Sequence, residues 1–204
     1  MICLTRRGLA LVVLLLSSSP LPPMPARASQ SFVVKPSKNA VIFNSNAPIE
    51  LIEGHTDKLK GSISIDEDLN FNKDFSAEFN VDLASIDTGI ALRNEHMRDN
   101  FLQTAKFPEA VFKVSKVTGD HEAFAQGKPV SVIADGSVTI HGVTLEQKIP
   151  VTVTLKRKNS KPSLTFTGKF PVKLEDYKIQ RPEVVFQKLA DTVFVTVSAT
   201  AINN

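Results

Sequence analysis

Four histidines, His55, His96, His121 and His141, are the residues of this chain best suited to chemistry, and carboxylates are plentiful around them. The densest setting is "IALRNEHMRDNFLQT", Ile90 to Thr104, where His96 stands among Arg93, Asn94, Glu95, Arg98 and Asp99. A histidine within hydrogen-bond reach of a carboxylate can act as a general base, and two histidines at i,i+4 on a helix can hold zinc. None of the four is spaced that way, and no HExxH is present. His55-Thr56-Asp57 and His121-Glu122 each offer two ligands, but in polar, turn-like stretches typical of solvated loops. No metal site is expected.

Nucleophilic and cofactor chemistry have equally little support. There is no GxSxG elbow, no P-loop and no GxGxxG, so no cofactor is expected, and the single cysteine is Cys3. A carboxylate pair can be scattered widely in sequence, which keeps one enzymatic alternative open: a hydrolase or isomerase using carboxylates with His96 or His141. His141 sits in "TIHGVT", where Gly142 marks a turn, and that favours a structural role for it.

The N-terminus explains the charge. Arg6 and Arg7 precede the apolar run "LALVVLLL", and the segment ends at the small-residue pattern Ala26-Arg27-Ala28. This is the plan of a Sec-type secretory signal, residues 1–28, with an apolar stretch far below the roughly 20 residues of a membrane span. The expected location is therefore periplasmic or secreted, with a bacterial signal and no transmembrane segment after cleavage. Three arginines and no acid lie in 1–28, which accounts for the whole excess of bases over acids, 24 against 21. A neutral mature domain, 29–204, gives no support for nucleic-acid binding. Cleavage also removes Cys3, so the core must hold by packing, without disulfides.

Behind these residues the pattern is period-two alternation. "LKGSISID" sets Leu59, Gly61, Ile63 and Ile65 against Lys60, Ser62, Ser64 and Asp66. "FSAEFNVDL" sets Phe75, Ala77, Phe79, Val81 and Leu83 against Ser76, Glu78, Asn80 and Asp82. "IPVTVTLK", with Val151, Val153 and Leu155, "LTFTGKFPVKL", with Phe166 and Phe170, and "TVFVTVSATA", with Val193, Val195 and Val197, repeat the plan. Weaker strands fit "AVIFNS", "AVFKVSKV" and "VSVIADGSVTI". About eight to ten strands, joined by turns such as "EDLN" and "DGS", predict an all-β antiparallel fold, a sandwich or an up-and-down barrel, with strand length favouring the barrel. Pro171 must fall at an edge, a bulge or a bend, and the basic "KRKNSK" reads as a solvated hairpin tip.

As a helix, Ile90 to Thr104 places Ile90, Met97, Phe101 and Ala105 on one stripe, with Asp87 or Thr88 as N-cap and Pro108 as a stop. Its charged side then faces water, Glu95 and Arg98 pair at i,i+3, and Met97 and Phe101 close or line one end of a barrel. The inward residues expected from alternation are Ile63, Phe75, Phe79, Val81, Val153, Phe166, Phe170 and Val195. They could fill the interior, the default for eight strands, or line a space for one small ligand. A filled-core, stress-related structural module is the reading that goes with the first case.

Two stretches, "ASIDTGIALRNEHMRDNFLQTAKFPEAVFKV" (84–114) and "GSVTIHGVTLEQKIPV" (136–151), resemble the signature regions of the YceI-like family of secreted or periplasmic polyisoprenoid-binding proteins. The resemblance spans roughly 31–202. It implies a lipocalin-like antiparallel β-barrel whose hollow apolar interior holds a long-chain isoprenoid or similar lipid noncovalently, and so no enzyme. The eight inward residues would then be ligand-binding, and Met97 and Phe101 would belong to a barrel-end helix. A homodimer is left open.

Overall fold

The computed structural model describes residues 29–46, 50–158, 161–180 and 189–203. The signal-like segment 1–28 and the 159–160 tip of the basic turn lie outside the described residues. Ten strands are present among those described: β1 (Ser29–Val34), β2 (Val41–Asn46), β3 (Leu51–Thr56), β4 (Leu59–Asp66), β5 (Phe75–Asp82), β6 (Glu109–Gly119), β7 (Val130–Ile140), β8 (Val143–Lys158), β9 (Lys161–Lys173) and β10 (Thr192–Asn203). All pairings are antiparallel. The order β1-β4-β5-β6-β7-β8-β9-β10 closes on itself through a β1–β10 pairing, making an eight-stranded barrel.

Closure depends on the length of β10. Its end, Ala201 to Asn203, pairs with β1, while Val193 to Val197 pair on the same side with β2, which carries β3 beside it. The β2–β3 hairpin thus continues the wall where β1 and β4 leave off. A two-bond bridge between His55 and Asp87, at 2.9 Å in each direction, joins β3 to the segment after β5. The alternation predicted from sequence is what the strands show: in β7, Val130, Val132, Ala134, Gly136 and Val138 are buried and their neighbours are not.

Pro171 sits at a local edge, as expected. It pairs with Phe194 of β10, but the β8–β9 pairing ends at Val151↔Gly168, so the far side of Pro171 has no ladder to break. Pro150 marks the same seam on β8: it pairs with Ile133 of β7 and lies outside the β9 register. A 3-10 turn, Leu174–Tyr177, packs beside the seam and buries Tyr177.

The two barrel ends differ. At one, helix α2 (His121–Ala125) is capped by Asp120, whose carboxylate accepts from the Ala123 N–H at 3.0 Å. α2 inserts Phe124 against Phe71, ring centroids 5.3 Å apart, and these residues are only 1% and 3% exposed. That end is closed. The other end carries the segment after β5, the Leu174–Tyr177 turn, and the β2–β3 hairpin.

The helix expected over Ile90 to Thr104 is shorter and changes pitch. Helix α1 covers Ala91–His96, and Met97–Phe101 form a single π turn, closed by Leu102 N–H donating to the Met97 carbonyl at 2.9 Å. The N-cap is Ile90, extended and 51% exposed, not Asp87 or Thr88. Those two act one step earlier. Asp87 accepts from the Gly89 N–H and the Asn94 amide, and Asn94 accepts from the Thr88 N–H and hydroxyl. The expected pairing of Glu95 with Arg98 does not form. The ion pair of the helix is instead Arg93 with Glu50, at 2.6 Å.

Candidate functional site

The barrel is hollow. A cavity of about 300 Å³ runs along its interior, through both groups of apolar core residues. The eight inward residues read from alternation all border it. Ile63, Phe75, Phe79 and Val81 come from β4 and β5, and Val153, Phe166, Phe170 and Val195 from β8, β9 and β10. Phe79, Val81, Val153 and Val195 face inward yet are only partly buried, because the space beside them is empty rather than packed. That answers the question of a filled or open interior, which alternation alone leaves undecided.

Met97 borders the cavity, but Phe101 does not. The π turn adds one residue to the turn, so the side chain at Met97 is followed on the cavity side by Leu102 rather than by Phe101. Phe101 packs nearby against the group containing Leu174, Tyr177 and Ile179. Ile90 and Ala105, also placed on the stripe, are exposed.

Sequence reading missed several lining residues. Phe112 was within reach: Ala110, Phe112 and Val114 alternate inward along β6 before the register shift between Val114 and Lys116. Phe43 lies in the expected strand "AVIFNS", where the unbroken run Val41-Ile42-Phe43 leaves the inward face undecided, and Ile86 after β5 had no strand signal. Phe43 lies over Gly54 of the neighbouring strand, where any Cβ would fall within 2.7 Å of the ring's Cζ.

Polar groups hardly reach this space. Thr56 borders it, but its hydroxyl is occupied, 2.5 Å from the Ser85 hydroxyl and accepting from the Lys58 N–H at 2.9 Å. His55 also borders it, yet in β3 the buried side belongs to Ile52, Gly54 and Thr56, so the His55 ring lies on the opposite face, with Asp87. There the Gly89 N–H, the Asn94 amide and the nearby His55 and Arg98 hold the Asp87 carboxyl below its ordinary range.

The remaining histidines are dispersed. His96 is exposed at the end of α1. His121 packs edge-on to Phe71 at the closed end, with ring centroids 5.6 Å apart. His141 donates from Nδ1 to the Tyr177 carbonyl at 3.1 Å and lies edge-on to Phe107 at 4.6 Å. Its backbone has φ 51° and that of Gly142 φ 75°, the left-handed pair of a two-residue hairpin turn between β7 and β8. Among the described residues no group of three His, Cys, Asp or Glu is placed to hold a metal ion, and no helix is long and apolar enough to cross a membrane. What the interior can do is remove an apolar molecule from water.

Comparison with known proteins points to the same architecture. A family model described as the YceI-like domain matches residues 32–201. A crystal structure of Burkholderia cenocepacia BcnA is similar at a TM-score of 0.63 and 20% identity, covering 83% of this chain and 95% of that one. A polyisoprenoid binding domain from Saccharophagus degradans, implicated in plant cell wall breakdown, is similar at a TM-score of 0.60 and 20% identity, covering 88% and 100%. The Campylobacter jejuni YCEI protein is similar at a TM-score of 0.63 and 17% identity, covering 78% and 89%. At these identities the structures speak for the fold. No curated protein matches.

Proposed function

Because the chain belongs to the YceI-like domain family, and its lipocalin-like barrel is hollow, we propose that it holds a long-chain isoprenoid or similar lipid noncovalently and carries it in the periplasm or as a secreted protein. The observation that carries this reading is the cavity: an apolar space where the bordering Thr56 hydroxyl is already hydrogen-bonded suits a hydrocarbon chain and little else. The polyisoprenoid-binding neighbour supports the choice of chain. Binding energy comes from area, roughly 25 cal/mol per Å² of apolar surface removed from water, or about 0.8 kcal/mol for each buried methylene. Ile63, Phe75, Phe79, Val81, Val153, Phe166, Phe170 and Val195 provide that surface, and Met97, with Leu102, flanks the end opposite α2. The signal-like residues 1–28 support the assigned compartment.

The dispersed histidines favour no catalytic role. The test is direct: extract the purified protein with organic solvent, identify lipids by mass spectrometry, and titrate the stripped protein with a fluorescent isoprenoid. A lipid in the extract or saturable uptake is expected. Absence of both overturns the proposal.

A further inference from the structure

Two phenylalanines from opposite walls meet inside the barrel. Phe79 is on β5 and Phe166 on β9, four strands apart in either direction around the eight-stranded ring. Their ring centroids are nevertheless only 5.3 Å apart, inclined at 57°. Side chains from facing walls can touch only where the bore is narrow, so the cavity is pinched at this point. Phe112 of β6 stacks behind Phe79 at 6.5 Å. On the other side Gly61 of β4, the register partner of Phe79, leaves room for the ring: a Cβ there would lie 2.5 Å from Phe79 Cδ1. Phe79 is thereby held across the bore.

The cavity lining continues on both sides of the pinch. Phe75, Val117 and Phe124 line it toward the closed end, and Met97, Leu102 and Ile179 toward the other. A chain cannot enter past the buried Phe71–Phe124 pair, so it comes from the Met97 side and meets Phe79 and Phe166 partway along. We infer that the Phe79–Phe166 pair is a length gauge, setting how many isoprene units of a bound chain the barrel buries. Carbons short of the pair gain the full benefit of burial. Further carbons gain it only if the two rings give up their contact across the bore.

The inference rests on the carrier reading, and its test separates the two. The probes are geraniol, farnesol, geranylgeraniol and solanesol, one chemical series of increasing length, titrated against stripped protein. In the wild-type protein, affinity stops rising at one member of the series. In Phe79→Ala it rises at least one member further, and the longer alcohol gains about tenfold or more relative to the shorter, because an extra five-carbon unit removed from water is worth at least that factor. Phe79→Leu, which keeps an apolar side chain, and Phe166→Leu move the limit the same way. The Phe79→Leu/Phe166→Leu double variant moves it less than the two single effects combined, since either change breaks the same ring pair. An unmoved limit in the folded variants, or wild-type affinity that rises through solanesol, overturns the gauge alone. Failure of all four alcohols to bind wild-type protein overturns the carrier reading, and the gauge with it.

Discussion

The Arg93 guanidinium donates from Nη1 to the Glu50 carboxylate at 2.6 Å, joining residues 43 positions apart in sequence. Its other donors are also used, Nε to the Thr88 hydroxyl at 2.9 Å and Nη2 to the Thr88 carbonyl at 2.8 Å. One side chain thus fastens α1 both to the loop before it and to the residue preceding β3. The cluster of charge that looks catalytic in sequence fixes the element whose other side contributes Met97 to the cavity.

Removing that clasp has a measurable cost. Arg93→Ala removes the donor to the Glu50 carboxylate and to the Thr88 hydroxyl and carbonyl, and for a site open to water on one side the expected loss is about 1–2 kcal/mol. Arg93→Lys recovers little of it, since an ammonium cannot serve three acceptors spread around a planar fork. Thermal unfolding measures this as a fall of a few degrees in Tm. An unchanged Tm in Arg93→Ala would mean that α1 is held by its apolar packing alone.

Acid should loosen the same segment through Asp87. Its carboxyl is held below the ordinary 3.8 by the Gly89 N–H and the Asn94 amide, with His55 and Arg98 adding to the effect. A lowered folded-state pKa means that the contribution is complete above the unfolded value and is lost as pH falls through the folded one. An NMR titration should therefore place the Asp87 midpoint below 3.8, with the Gly89 amide signal moving in step. A midpoint at or above the ordinary value defeats the prediction, and Asp87→Asn should abolish the coupled shift at Gly89.

Much of the fold is legible in the residues. Alternation in "VSVIADGSVTI" and "LTFTGKFPVKL" marks β7 and β9 and their inward faces, because a half-buried strand must repeat every two residues. Pro171 announces an edge, and Gly142 a turn. Three features are not legible. Alternation is identical for a filled and a hollow barrel, so the cavity shows only in the space left beside Phe79, Val153 and Val195. A helical wheel assumes 3.6 residues per turn, so it cannot foresee that a π turn carries Phe101 off the cavity and brings Leu102 onto it. His55 looks like a solvated loop residue. It is instead a strand residue whose backbone bridges to Asp87, a pairing 32 positions away that no local pattern encodes.

His141 offers a test between turn and catalysis. Its φ of 51° belongs to the left-handed region, which asparagine tolerates better than histidine. His141→Asn keeps the hairpin geometry but gives up the hydrogen bond to the Tyr177 carbonyl and the contact with the Phe107 ring, so it should cost about 1–2 kcal/mol of stability and leave lipid retention intact. Gly142→Val should cost about 1–3 kcal/mol in chemical denaturation, combining backbone strain with a Cβ placed 2.5 Å from the Phe107 ring. A turnover activity abolished by His141→Asn in a stable protein would restore the general-base reading.

The π turn makes a prediction about which side chain of the helical segment matters for lipid. On a straight helix, Phe101→Ala would weaken retention more than His96→Ala. Both residues pack against the group containing Leu174 and Tyr177, but only Leu102 also borders the cavity, so the two divide their effects. Leu102→Ala should lower lipid affinity by up to about 1–2 kcal/mol, for the apolar surface that no longer covers the chain, with a modest change in Tm. Phe101→Ala should chiefly lower Tm, because it opens space within a packed group rather than at the cavity wall. His96→Ala, at an exposed position, should change neither. Affinity and Tm measured together on the three variants decide the matter. If Phe101→Ala reduced affinity without touching stability, the wheel drawn from sequence would describe the bound state better than the π turn does.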